Sequence, residues 1–506
     1  MRCLLVVGVL TLWVGCSRGQ PTDGPAGAET PNLRIAVVTD LDGYLEPCGC
    51  TSNPLGGIDR LAAQIRSLRE GSVPVVFLIA GNVFFDTADL EPARVDQANR
   101  NATTLAAILN RLDVTAVLPG RRDRAQPSAV LDALRAASAF PWLAMKTEVQ
   151  VLPTHAGTLR LAVVGIRPGA DRDAVRAAIA AAEADTELTI ALVDGSRREA
   201  NRIGAIEGVD FVIEGGLDED QAIPPREAGK AWVLHAGRQG RGVTVVDVYR
   251  NGKVGQFVDR SEWSRSERAT QLDQQIAALS AKIAAWERSS DVDPTDLEAQ
   301  RQRLAHLAEA RRALDAPAIQ AVGNAFAAHW VPLPKQAPKD EQVAKLMREH
   351  DKAVNEANRI AFADLEPPPL GPDDVAYVGS AACSGCHQAA YAWWRNHAHG
   401  RAYLTLQDRN KEYNLDCVGC HVTGYGKPGG STVTHNLNGA LVNVGCESCH
   451  GPGATHAKNP EVGILRNTPE STCVTCHNAQ HSDLFDYAAY LKTIVVPGHG
   501  LPELDR

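Results

Sequence analysis

The sequence predicts a multidomain protein with an N-terminal α/β domain, an α-helical connector and a mainly helical or irregular C-terminal domain. Short apolar runs alternate with amphipathic helical stretches over residues 33–260, which is typical of α/β folds. Residues 264–360 are rich in Ala, Leu, Glu, Gln and Arg, with apolar positions three or four apart, and this pattern predicts helices. A Pro-rich linker at 366–372 precedes the last domain, 373–506, which contains four Cys-x-x-Cys-His motifs.

Residues 1–16 have the pattern of a secretory signal, because Met-Arg precedes an apolar run that is too short to span a bilayer. The Val14-Gly15-Cys16 end resembles a bacterial lipobox, so we expect a lipid anchor at Cys16 that attaches the protein to a membrane. Cleavage by an ordinary signal peptidase is the alternative. Residues 17–32 are rich in Gly and Pro and predict a flexible tether. The expected location is therefore the periplasm or the cell envelope.

The α/β domain contains strand candidates, helix candidates and two candidate hairpins. The strand candidates are Arg34–Thr39, Val73–Ile79, Val114–Leu118, Leu188–Val193, Phe211–Ile213 and Ala231–Leu234. The helix candidates between them are Ile58–Arg69, Val95–Leu112, Pro127–Ala137 and Asp171–Ala184. The hairpins are predicted near Val149–Val164 and around Val243–Val254, with a turn at Asn251-Gly252.

The connector begins with two helical stretches, Gln271–Arg288 and Asp296–Leu314, that predict an α-hairpin. A third helix is predicted around Asp340–Arg359. Within the first stretch, apolar residues recur at the spacing of one helix face.

The four Cys-x-x-Cys-His motifs are attachment signatures of c-type haem, in which two thiols bind the porphyrin covalently and the histidine is the proximal iron ligand. Disulfides or zinc sites would not explain a histidine after every second cysteine. We therefore predict four covalently attached haem c groups. The attachment cysteines are Cys383, Cys386, Cys417, Cys420, Cys446, Cys449, Cys473 and Cys476, and the proximal histidines are His387, His421, His450 and His477.

Further histidines in this domain are candidates for the second axial position of each iron. A second histidine produces a low-spin electron-transfer centre, whereas an open position could bind a small molecule. An isolated histidine is more often a surface residue, but their concentration beside haem sites favours ligation for at least three. The candidates are His397, His399, His435, His456, His481 and His499.

The C-terminal domain resembles the tetrahaem cytochrome c-554 family over roughly residues 375–500. The resemblance is carried by Tyr377–His387, by Cys417–Gly430 and by the Cys-Glu-Ser-Cys-His-Gly-Pro-Gly segment from Cys446. It implies that His399, His456 and His499 are distal ligands, and that three haems have two histidine ligands while one is five-coordinate. It further implies electron relay in the periplasm between redox partner proteins. His435 has no clear counterpart in the family pattern, so the fourth iron of this protein is either open or ligated. His397 is interpreted as a neighbour of the ligand or a surface residue, and His481 could be either.

The α/β domain resembles the metallophosphatase/5′-nucleotidase superfamily over roughly residues 33–250. Four segments carry this resemblance: Asp40–Gly43, Leu55–Arg60, Ala80–Asn82 and Ala236–Gly240. Members of that superfamily bind two divalent metals that activate water and hold the phosphoryl oxygens.

Several positions depart from the metal-binding pattern of that superfamily. Asp42 stands in place of a histidine, Asn82 in place of an aspartate, and Arg121 and Arg122 in place of Asn-His. Similarly, Asp194-Gly195 and Glu214–Asp218 stand where histidine ligands are expected. We therefore expect an inactive relative of the phosphatases. A vestigial cation site for one hard divalent ion such as calcium would use Asp40, Asp42, Asp123 and Asp194, although scattered aspartates are more often solvated.

The segment Cys48-Gly-Cys50 follows the first of these motifs, and similar domains found alongside multihaem cytochromes carry a like segment. A disulfide here would close a small strained ring and would be relatively oxidising. A structural disulfide, a thiolate metal site and two free thiols are the alternatives.

The net charge of −9 does not indicate the positively charged surface that binds nucleic acid, so no nucleic-acid partner is expected. We expect an electron-transfer protein and not an enzyme. The first alternative is an oxidoreductase that acts on a small nitrogen or sulfur compound at a five-coordinate haem. A 5′-nucleotidase with an attached cytochrome is the second, and a domain that only recruits a redox partner is the third.

Overall fold

The structure is a computed structural model, and it describes residues 29–47, 54–251, 255–288, 294–315, 323–435, 437, 439–478, 481–482 and 485–495. The predicted signal, most of the tether, Cys16, Cys48, Cys50 and His499 lie outside the described residues. Over the described part of the chain, no helix is long and apolar enough to cross a membrane.

Two six-stranded mixed sheets form the centre of the N-terminal domain. In spatial order, the first sheet consists of β11 (Val258–Asp259), β12 (Ala325–Pro332), β10 (Gly242–Tyr249), β1 (Leu33–Thr39), β2 (Val75–Gly81) and β3 (Ala116–Pro119). The second consists of β4 (Val149–Ala156), β5 (Leu159–Ile166), β6 (Leu188–Asp194), β7 (Phe211–Gly215), β9 (Ala231–Gly237) and β8 (Gln221–Ala228). The strand candidates are confirmed to within three residues at each end.

Side chains alternate between the two faces of each strand, and both faces of each sheet are buried against apolar residues. In β1, Ile35 and Val37 face the layer between the two sheets, whereas Ala36 and Val38 face the helices. The second sheet is likewise buried on both faces. Because a strand that is buried on both sides needs apolar residues at every position, these strands read as continuous apolar runs in the sequence.

Helices cover the outer face of each sheet, so the domain is a four-layer α/β/β/α sandwich. Against the first sheet pack α1 (Ile58–Arg69), α2 (Val95–Leu109) and α4 (Ser128–Ala137), and against the second pack α5 (Arg172–Glu183) and α6 (Arg197–Gly204). The short α3 (Arg121–Arg124) follows β3. The predicted α/β sandwich is confirmed.

The structure differs from a sequence-based prediction at the end of this domain. Strand β12 lies inside the stretch 264–360 that was predicted to be a helical connector, and it pairs antiparallel with β10 along eight residues. The turn of the predicted hairpin around Val243–Val254 includes residues 252–254, which lie outside the described residues. Strand β10 pairs with β1 on one side and with β12 on the other. The α/β domain therefore continues beyond residue 260.

The helical parts of the connector agree with the prediction. Helices α7 (Glu262–Trp286) and α8 (Pro294–Ala313) form an α-hairpin, with ion pairs from Arg301 to Glu287 and from Arg311 to Asp273. Helix α9 (Glu341–Ala361) packs on α1 and α2, so it belongs to the outer layer of the first sheet.

The C-terminal domain consists of short helices joined by irregular chain, as predicted. Its helices are α10 (Gln388–Trp394), α11 (Ala402–Gln407), α12 (Val418–His421), α13 (Cys446–His450), α14 (Ala454–Lys458), α15 (Glu470–Cys473) and α16 (Tyr487–Ile494), with 3₁₀ turns at Ser380–Cys383 and His399–Arg401. A small apolar cluster of Tyr403, Leu406, Val418 and Val422 is its described core. Such a core is small for a domain of this length.

Candidate haem sites and the crevice of the α/β domain

Two pairs of imidazole rings in the C-terminal domain have centroids at a distance that fits a shared iron ion. The ring centroids of His387 and His456 are 6.2 Å apart, and those of His399 and His477 are 6.1 Å apart. A metal–imidazole bond is about 2 Å long, so two imidazoles on one ion have centroids about 6 Å apart once the ring radii are added. His456 therefore lies beside the proximal histidine of the first motif and His399 beside that of the fourth, and their role as distal ligands stays a prediction.

Hydrogen bonds orient several of these rings for ligation. Three histidines direct Nδ1 at a backbone carbonyl oxygen: His421 at Ala402 (2.6 Å), His450 at Leu465 (2.7 Å) and His456 at Val462 (2.8 Å). A carbonyl can only accept, so in the neutral ring Nδ1 carries the proton and Nε2 is the unprotonated nitrogen. Iron ligation needs such a nitrogen, and a bonded Nδ1–H fixes the ring orientation.

Burial keeps two further imidazoles in the neutral form. Burial, together with the nearby His397 and His477, lowers the pKa of His399 to about 4. Burial also lowers the pKa of His477. Neutral imidazole is the form that binds metals, so the environment of this pair fits the ligand role.

The remaining histidine candidates have different surroundings. His397 stacks on Trp393 with centroids 4.4 Å apart, and its Nδ1 accepts from the backbone N–H of His399 at 3.3 Å. It therefore lies beside His399, the predicted distal ligand. His435 lies in a turn, where its backbone N–H donates to Thr432 Oγ1.

The attachment cysteines bring different motifs together. The thiols of Cys383 and Cys446 are hydrogen-bonding neighbours, as are those of Cys420 and Cys476. The first motif thus adjoins the third, and the second adjoins the fourth. Apolar side chains exposed in the same domain, Leu404, Leu465 and Tyr490 among them, supply surface that a porphyrin face would cover. Both observations fit covalent haem.

The crevice at the carboxyl ends of the central strands contains the residues predicted as remnants of a metal site. The carboxylate of Asp42 accepts from Arg122 at 2.9 Å and from Arg238 at 3.0 Å. Burial raises the pKa of Asp42 to about 6 and the two arginines oppose that shift, so the carboxylate is charged and paired at pH 7. Asp194 is paired with Arg124 at 2.8 Å.

The other two aspartates are bonded to the backbone. Asp40 accepts from the backbone N–H groups of Asn82 and Gly216, both at 2.9 Å. Asp123 accepts from the N–H groups of Val83 and Phe84, so it fixes the loop after β2. Within the described ranges, no group of three or more His, Cys, Asp or Glu side chains is placed to hold a metal ion. The four aspartates predicted as a vestigial cation site are thus not gathered into one.

Residues 382–451 match the family model described as cytochrome c554 and c-prime. The C-terminal domain is a cytochrome c554 domain. A similar curated protein is cytochrome c-554 of Nitrosomonas europaea, which is 40% identical over 95 residues, covering 16% of this chain and 40% of that protein. The chain thus spans less than half the length of that relative. The match of residues 382–451 to this family implies covalent haem c.

Solved structures that are similar to part of this chain include two from Thermus thermophilus. The 5′-nucleotidase precursor from Thermus thermophilus has a TM-score of 0.44 and 13% identity, over 72% of this chain and 67% of that one. The sulfate thiohydrolase SoxB from the same organism has a TM-score of 0.41 and 13% identity, over 70% and 64%. The crevice of the α/β domain is characterised by its own side-chain contacts, in which arginines pair with Asp42 and Asp194.

The cytochrome c554 domain is joined to the α/β domain through the segment just before the second motif. Gln97 of α2 accepts from the backbone N–H of Leu415 at 3.0 Å and donates to Asp416 at 2.8 Å. Asn358 of α9 donates to the carbonyl of Tyr413 at 2.9 Å and to Gln97 at 2.7 Å. The second haem attachment segment is therefore held against the outer helices of the first sheet.

A buried lysine adds charge to this interface. Lys411 forms ion pairs with Glu46, which follows β1, and with Asp351 of α9 at 3.5 Å. Its side chain is 13% exposed, and burial lowers its pKa. Sequence analysis missed this interface because no local pattern marks a residue whose partners lie in another domain.

Buried hydroxyl groups inside the cytochrome c554 domain were also missed. Ser380 Oγ accepts from the backbone N–H of Cys446 at 3.0 Å, and Thr423 Oγ1 accepts from that of Gly445 at 2.9 Å. Segments near the first and second motifs are thereby tied to the third. Their position a few residues from a Cys-x-x-Cys-His motif was the only sequence signal.

Proposed function

We propose that this protein is an exported tetrahaem c-type cytochrome that relays electrons in the periplasm between redox partner proteins. The single observation that carries the proposal is the distance between the imidazole centroids of two histidine pairs. It is 6.2 Å for His387 and His456 and 6.1 Å for His399 and His477. Two histidine ligands leave no free position on an iron, so such centres exchange electrons and do not bind substrate.

The neighbouring thiols support a continuous electron path. Cys383 adjoins Cys446, and Cys476 adjoins Cys420. Cys449 is close enough to Cys473 and Cys476 to interact with them electrostatically. An electron path along these contacts would run from the haem of the first motif to that of the third, then to that of the fourth and last to that of the second. The protein supplies axial ligands, apolar cover and hydrogen bonds to the histidines, which tune the potentials.

We further propose that the α/β domain is an inactive relative of metallophosphatases that supports the second haem site. The arginine pairs of Asp42 and Asp194 support this view, since cations occupy the carboxylates that metals would need. Turnover of a nucleoside monophosphate with manganese by the full-length protein would contradict this part of the proposal.

The central test is spectroscopic. Pyridine haemochrome quantification should yield four haems per chain, and low-temperature electron paramagnetic resonance should show low-spin signals that titrate with potential. A high-spin centre that binds nitric oxide or hydroxylamine would favour the oxidoreductase alternative, while an absence of covalent haem would refute the proposal. For the expected lipid anchor, Cys16→Ala should release the protein from the membrane fraction.

A further inference from the structure

Glu447 lies within the third motif, between its two cysteines, and its side chain is buried. The residue is 4% exposed. Its carboxylate accepts hydrogen bonds from three backbone N–H groups: Val378 at 3.0 Å, Gly379 at 2.7 Å and Gly453 at 2.7 Å. No cation is among the contacts that the structure records for this carboxylate. The three amides therefore hold its charge in the domain interior.

The three backbone N–H groups lie in the two chain segments that would carry the ligands of the first haem, namely the segment before the first motif and the start of α14. Val378 and Gly379 lead directly into the 3₁₀ turn Ser380–Cys383, which carries a thiol of the first motif. Gly453 immediately precedes α14, the short helix that carries His456. One carboxylate thus connects the segment of the proximal ligand with the helix of the distal ligand.

Two additional contacts join the same segments. The backbone N–H of Ala454 donates to the carbonyl of Ala376 at 3.1 Å, and Ser380 Oγ accepts from Cys446 N–H at 3.0 Å. Glu447 is the only charged side chain among these contacts, and charge-assisted hydrogen bonds are stronger than neutral ones. It therefore contributes most to the relative position of the two segments.

We infer that Glu447 is the positioning residue for the His387–His456 axial pair, an inference that rests on the proposed haem function. It touches neither imidazole and acts through the chain that carries each of them. Metal sites depend on such supporting contacts, because ligands must be held close to the bonding geometry before the metal binds.

The experiment compares Glu447→Gln with His456→Ala in the full-length holoprotein. Glutamine has the same shape, but its Nε2 cannot accept, so at least one backbone N–H would meet another donor. We expect Glu447→Gln to keep the wild-type haem count and to lose or shift one low-spin signal. This should be the signal that His456→Ala removes, and the double variant should match His456→Ala alone. The other low-spin signals and their midpoint potentials should stay unchanged.

Glu461→Gln is the matched control, since it makes the same charge change at an exposed residue five positions from His456. It should give the wild-type spectrum. If Glu447→Gln yields no holoprotein, Glu447→Asp keeps the charge but shortens the side chain, and it should shift the same single signal.

Three results would overturn the inference: an unchanged spectrum in the variant recovered, a change in a different signal, or an equal change in all signals. The last of these would indicate a general structural role. A wild-type protein without covalent low-spin haem would instead refute the proposed function, so the two failures are distinguishable.

Discussion

Truncation of Gln97 should weaken the contact between the α/β domain and the cytochrome c554 domain. This side chain is 3% exposed and bonds Asn358, Leu415 and Asp416 at once. Gln97→Ala leaves the Leu415 N–H without its acceptor and removes one partner each from Asn358 and Asp416. An unsatisfied buried polar group costs about 1–3 kcal/mol, so we expect a loss of about 2–4 kcal/mol. This is a large part of the stability of an ordinary domain, which is about 5–15 kcal/mol.

The assay is urea unfolding of the holoprotein, followed by tryptophan fluorescence and by circular dichroism in the haem region. In Gln97→Ala, the transition detected by haem dichroism should move to lower urea. Gln302→Ala is the control, because this glutamine is exposed on α8 and bonds only Glu298 of the same helix. Surface changes of that kind are worth about 0.5 kcal/mol or less. Equal midpoints for Gln97→Ala and Gln302→Ala would refute the interface role.

The remaining predictions concern ligands, pH and the crevice. His399→Ala and His456→Ala should each convert a different low-spin haem to high spin, and loss of the same signal in both would contradict the assigned pairs. Burial lowers the pKa of His350 from 6.5 to about 4, so stability should fall by about 2–3 kcal/mol as pH drops from 6.5 to 4. His350→Gln should flatten that pH dependence of the unfolding free energy. Asp42→Asn should leave the haem spectrum unchanged, because Asp42 bonds arginines of the crevice.

The surroundings of His350 explain why acidification should lower the stability of the protein. Its two ring nitrogens bond Thr104 Oγ1 at 2.9 Å and Asn101 Oδ1 at 3.0 Å inside the contact between α2 and α9. The unfolded chain takes up a proton near pH 6.5, whereas the folded chain resists protonation until about pH 4. The stabilising contribution is therefore complete above pH 6.5 and is lost on acidification.

Local patterns in the sequence predicted most of the α/β elements. Helix Ile58–Arg69 was predicted with its observed bounds, since its apolar residues follow the helical period. Strand β12 was missed because Ala325–Pro332 contains three alanines and few β-branched residues, and its stability comes from pairing with β10.

The sequence alone determined the haem attachment motifs, because the thiols and the proximal histidine must be adjacent along the chain for this chemistry. It also predicted His399, His456 and His499 as distal ligands, through resemblance to a known family. Only the tertiary structure showed that His456 lies beside His387 and His399 beside His477. It also showed that Arg122 and Arg238 pair with Asp42, and that Glu447 binds the backbone of both Gly379 and Gly453. These features are contacts between residues far apart in sequence, so they depend on how the segments pack and leave no local pattern.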